Sequence, residues 1–138
     1  MKGLEKYPQN YLLAWSKAIA GKKDFLPLLM KSAYKELGVF VYALNNKEDA
    51  RKWLLENGYP HLMALINGAE GNTKALEWLM NYNYIEFYYI AIAADGDEKA
   101  KKWLLQENKF LLQLALRIES VKDEIERNNN DIHKISPD

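Results

Sequence analysis

The 138-residue chain contains no cysteine, which removes disulfides, thiolate metal sites and cysteine nucleophiles together. This fits a reducing compartment. Histidine is nearly absent as well: His61 and His133 are the only two, and neither has a companion at metal-ligand spacing. Net charge is missing, because 19 basic and 19 acidic residues cancel. A dedicated nucleic-acid binder carries a concentrated basic footprint, so this balance weighs against one. Valine and isoleucine are sparse, and no alternating run is bounded by hairpin signals, so no strands are expected. Without strands there is no phosphate loop of the strand–glycine–helix type. Ser16, Ser32, Ser120 and Ser136 lack any nucleophile-elbow context. The most apolar run, residues 85–94, is interrupted by Glu86 and is too short to span a bilayer. No apolar h-region marks the N-terminus, so no signal peptide is expected. These absences lead to the expectation of a non-enzymatic, cytoplasmic protein with no cofactor, no metal and no membrane attachment.

What is present is a repeat. Trp53, Trp78 and Trp103 are 25 residues apart, and Ala50/Ala75/Ala100 and Leu54/Leu79/Leu104 keep the same step. A fixed period of this kind marks stacked repeats. In each copy Ala, Trp and Leu fall at positions i, i+3 and i+4 of a first helix, on one face. The stretch 72–96 shows the unit most clearly: a helix, a tight turn, a second helix and a glycine stop at Gly96. Gly71 ends the preceding copy, and Asn72 and Asp97 are natural N-caps for the helices that follow. This end-and-start chemistry also explains Asp95-Gly96-Asp97-Glu98, which resembles part of a calcium loop but lacks its closing glutamate.

The sequence therefore predicts one domain over residues 1–127. A capping helix occupies 4–20, with Pro8 marking where it starts properly, and full repeats span 22–46, 47–71, 72–96 and 97–121. Asp24 is the expected N-cap of the first repeat, with Pro27 in its first turn, and Asn45-Asn46 stand where later copies have glycine. Val121 takes the glycine position in the last copy, so its second helix continues to about residue 127. Residues 128–138 lack periodicity and read as a flexible tail. The fold class is all-α: a right-handed α-solenoid of about nine helices, a half-repeat plus four helix pairs.

The copies of the unit, with K-A-x-x-W-L at 74–79 and 99–104, resemble the short helical repeats of the HEAT, armadillo and TPR superfamily. The period is shorter than the roughly 34 residues of TPR or the roughly 40 of HEAT repeats. The K-A-x-x-W-L pattern is also similar to short repeats of small bacterial proteins without assigned activity. The resemblance implies architecture and no particular chemistry.

Comparing the copies separates packing from surface. In the second helices, Leu37/Leu62/Phe87/Leu112, Phe40/Leu65/Ile90/Ala115 and Val41/Ile66/Ala91/Leu116 stay apolar. The repeat tryptophans, with Leu28 in their place in the first copy, are expected in the core. One stripe changes character from copy to copy: Tyr34/Tyr59/Tyr84/Lys109, then Gly38/Met63/Tyr88/Gln113, then Tyr42/Asn67/Ile92/Arg117. Stacked copies of an open solenoid would align that stripe on an inner face, where helical-repeat proteins hold partners. The candidate binding residues are accordingly Tyr42, Tyr59, Met63, Asn67, Tyr84, Tyr88, Ile92, Gln113 and Arg117, and no catalytic residue is proposed. The expected function is a protein–protein interaction scaffold for a peptide or a helix, acting as a monomer or weak homodimer. Two other readings stay open. One is nucleic-acid binding of the kind seen in HEAT-like DNA glycosylases, kept alive by seven lysines (Lys2, Lys6, Lys17, Lys22, Lys23, Lys31, Lys35) in the first 35 residues. The other is self-association through the end helix at Leu12 and Trp15.

Overall fold

The computed structural model describes the backbone of residues 1–135 and the side chains of residues 1–130. Among the described residues there are nine helices and no strand: α1 (Gln9–Ile19), α2 (Phe25–Met30), α3 (Lys35–Leu44), α4 (Glu48–Glu56), α5 (Pro60–Ala69), α6 (Thr73–Asn81), α7 (Ile85–Ala94), α8 (Glu98–Glu107) and α9 (Lys109–Ile135). None of them is long and apolar enough to cross a membrane.

Local chemistry accounts for most boundaries. Gly21, Gly71 and Gly96 end helices at φ of +89°, +91° and +104°, and Asn46 takes the same left-handed role in the first repeat at φ 66°. Asn72 and Asp97 cap α6 and α8, their side chains accepting from the backbone N–H of Ala75 at 3.0 Å and Ala100 at 2.8 Å. Asp24 does not cap α2: its own backbone is helical and its carboxylate makes no cap bond. Asp97→Ala should therefore lower the unfolding free energy by about 1 kcal/mol, while Asp24→Ala should leave it nearly unchanged. Denaturant melts of the two variants side by side decide this, and equal losses would refute it.

At the N-terminal end the expected span 4–20 is helical only from the proper start at Pro8, and the C-terminal end departs from expectation. Helix α1 begins only after Pro8, and residues 1–7 form a strap of turns that buries Leu4 and Tyr7. The proposed loose tail from residue 128 is helical to Ile135; residues 136–138 lie outside the described residues. Helix α9 holds no proline or glycine to stop it, and Lys122 ties it to the end of α7 by donating to Asp95 Oδ1 at 3.0 Å and Ala94 O at 3.4 Å. A lysine at that place also opposes the negative end of the α7 dipole.

The helices form two layers. Helices α1, α3, α5, α7 and α9 touch one another in succession, and α2, α4, α6 and α8 pack outside them. Leu29, Leu54, Leu79 and Leu104 point inward from the outer layer and are fully buried, as are Leu37, Phe40, Leu65, Phe87 and Ile90 of the inner one. The tryptophans at the repeat positions do not join this core. Trp53, Trp78 and Trp103 are half-buried and lie against tyrosines, Trp53 stacking on Tyr59, Trp78 on Tyr84 and Trp103 on Tyr89. An outer helix has water on one side, and a ring this large cannot be wholly covered by its two neighbours. Leu28, at the equivalent position, is exposed, and so is Leu116 on α9. Trp15, outside the repeat series, is the fully buried tryptophan, with its edge on Phe40.

Helix α9 also returns to touch α1 and α3, so the inner layer closes on itself. In an open solenoid each repeat meets only its neighbours. Here the two ends of the chain meet, and the continuous inner face on which the candidate site was placed is occupied by helix packing.

Candidate functional site

Closure brings two of the nine candidate residues together. Tyr42 lies near the end of α3 and Arg117 in the middle of α9. Both line a cleft of about 470 Å³ enclosed by the end of α1, by α2, by the end of α3 and by α9. Its walls are apolar at Ile19, Leu26, Val41 and Val121, and Lys22 and Lys23 stand at its edge. Tyr42 is exposed, which is unusual for a large ring flanked by a core helix and leaves its face available to a partner.

Arg117 is held rather than free to swing. Its Nη1 donates to Ser16 Oγ at 2.7 Å, and Ser16 is completely buried on α1. This bond joins the first helix to the last and anchors one end of the guanidinium. Among the described residues no carboxylate lies within ion-pair distance of it. Several backbone groups at the helix ends beside the cleft are already used. Gly21 and Lys22 N–H close on Ala18 O and Lys17 O, and Asn46 and Lys47 N–H close on Ala43 O and Tyr42 O.

The other seven candidates are scattered. Tyr59 and Tyr84 lie at the opposite end of the inner helices, under the N-terminal strap. Lys6 Nζ sits 5.2 Å from the Tyr59 ring and Lys2 Nζ 4.6 Å from the Tyr84 ring, and His61 stacks on Tyr84 at 5.3 Å. These rings already have partners within the chain. Met63 is buried, and with Asn67 it floors a separate groove between α4 and α6. Tyr88 and Ile92 are half-buried on α7, Tyr88 packing edge-on against Tyr89. Gln113 is exposed on α9. The stripe is thus divided among separate grooves, with Tyr42 and Arg117 in one, Met63 and Asn67 in another, and Tyr59 and Tyr84 in a third.

Sequence comparison missed the most elaborate polar arrangement in the molecule. Glu36, buried at the start of α3, accepts from Tyr7 Oη at 2.6 Å and pairs with Lys6 Nζ at 2.9 Å. Burial by itself raises a carboxyl pKa, but the bonds from Tyr7 and Lys6 outweigh it and hold Glu36 below its ordinary value. Burial and the Glu36 charge push the Tyr7 phenol far up, so it stays a donor. Burial would lower the Lys6 ammonium, yet its pairing with Glu36 leaves it raised. His61 is lowered by burial and by the nearby Lys6 charge. The Tyr7 and Lys6 contacts, both to Glu36 Oε2, fasten the strap to the start of α3. No copy comparison could reveal it, because Tyr7 precedes the repeats and Glu36 lies in the loosest of them. Among the described residues no three of His, Asp and Glu come together as metal ligands.

No protein-family model, no curated protein and no solved structure matches the chain.

Proposed function

We propose that the protein is a non-catalytic protein–protein interaction module of the cytoplasm, a short α-solenoid whose two ends meet. On this reading it binds a peptide or a helix of another protein in the cleft between α1, α2, α3 and α9. The observation that carries the reading is the convergence there of an exposed tyrosine and an anchored arginine on apolar walls. Tyrosine and arginine are the side chains that most often dominate binding energy at interfaces. A cleft of this volume is also in the range of pre-formed ligand sites.

Panning a displayed random-peptide library on the purified protein tests this. Peptides retained by wild type should bind Tyr42→Ala about tenfold more weakly or worse. Tyr42 is exposed, so that variant should keep the wild-type circular dichroism spectrum and melt. A library that yields no binder, or binders indifferent to Tyr42→Ala, would overturn the proposal.

A further inference from the structure

We infer that the occupant of this cleft is an acidic peptide segment, whose carboxylate meets Arg117 while a neighbouring apolar side chain enters between Leu26, Val41 and Val121. The inference rests on the peptide-binding reading above and adds the chemistry of the ligand.

Three observations support it. First, the charge lining the cleft is unbalanced: Lys22, Lys23 and Arg117 face Glu124 alone. Second, the lysine-rich start of the chain is mostly committed elsewhere. Lys2, Lys6, Lys17 and Lys35 each lie over an aromatic ring, at Tyr84, Tyr59, Phe25 and Trp53. Lys22 and Lys23 follow Gly21 at the cleft edge, where both are exposed. Third, Arg117 is oriented by buried Ser16 through one nitrogen and has no carboxylate partner among the described residues. A guanidinium has five N–H donors in a rigid fork. One end spent on Ser16 Oγ leaves the rest oriented for a carboxylate, the acceptor that matches its geometry best. At the α1 and α3 ends, the carbonyls of Lys17, Ala18, Tyr42 and Ala43 already accept backbone N–H groups, which softens the negative character these termini would otherwise lend the cleft.

The probes are two pools of random peptides, one with a fixed Leu-Asp-Leu centre and one with Leu-Asn-Leu, differing in charge and barely in shape. Binding is followed by fluorescence anisotropy to the full chain. The aspartate pool should bind about tenfold or more tightly. Arg117→Gln should erase the difference between pools, and Arg117→Lys should restore part of it. Should Arg117→Gln disturb the contact of α9 with α1, the double variant Lys22→Glu/Lys23→Glu provides a second test on exposed positions. It should weaken the aspartate pool and spare the asparagine pool.

The outcomes separate the two levels of the argument. Equal binding of both pools, lost in Tyr42→Ala, overturns the acidic ligand and leaves the peptide module standing. Binding of neither pool overturns both. Retention of duplex DNA in place of either pool, falling steeply with added salt, also overturns both and assigns the Lys22/Lys23 edge to phosphate.

Discussion

Replacing Trp15 with alanine should lower the unfolding free energy by about 3–5 kcal/mol, the range for deleting a fully buried aromatic side chain. Trp15 has no accessible surface, and its ring meets Phe40 edge-on with centroids 5.0 Å apart. It sits on α1 where that helix meets α3, beside the Ser16 position that receives Arg117 from α9. The cavity left by alanine would thus open where the two ends of the chain close. Loss of this size is a large share of the stability of a domain of this length. Trp53→Ala should cost clearly less, since that ring is half-exposed and stacks on Tyr59 at the surface. The buried Trp15 Nε1 has no protein hydrogen-bond partner. Trp15→Phe should consequently be milder than the volume change alone suggests, because it also removes a desolvated donor. Urea melts followed by circular dichroism give all three values. Equal losses for Trp15→Ala and Trp53→Ala would refute the assignment of Trp15 to the core and of the repeat tryptophans to its edge.

Acid should weaken the fold through Glu36, and Tyr7→Phe should lower stability at neutral pH by about 1–3 kcal/mol. The phenylalanine keeps the ring packed but leaves a buried carboxylate with one of its two partners missing. The direction of the pH effect follows from Glu36 being held below its ordinary pKa in the folded chain. Its contribution is fully present above the ordinary carboxyl range and is lost as pH falls through the depressed folded value. Comparing wild type with Glu36→Gln from neutral pH down to about pH 3 isolates this group from the other carboxylates. Wild type should lose its advantage over the glutamine variant across that interval. Parallel curves for the two proteins would show that Glu36 is not the linked site.

Both effects concern residues that the repeat pattern did not single out. The pattern identified the helix pairs, the glycine and asparagine stops and the Asn72 and Asp97 caps, because these depend on residues within a few positions of each other. It also separated the inner helices from the outer ones, because most positions that stay apolar in every copy pack, Leu28 and Leu116 being exposed exceptions. It misplaced Trp53, Trp78 and Trp103, because constancy at a repeat position reports a shared environment and does not distinguish a core from the edge of one. It aligned Tyr42, Met63, Tyr88 and Arg117 on one face by assuming that successive copies stack straight.

Sequence alone was enough to determine that this chain is helical, where most of the inner breaks between helices fall, and that Leu54, Leu79 and Leu104 fill its interior. Hydrophobic spacing and capping act over one or two turns and are written locally. The tertiary structure decided that α9 meets α1, that Arg117 reaches Ser16 across 101 residues, and that the strap brings Tyr7 to Glu36. Those contacts join segments far apart in the chain, and no local spacing or cap encodes them. The cleft at Tyr42 and Arg117 exists because α9 packs against α1 and α3.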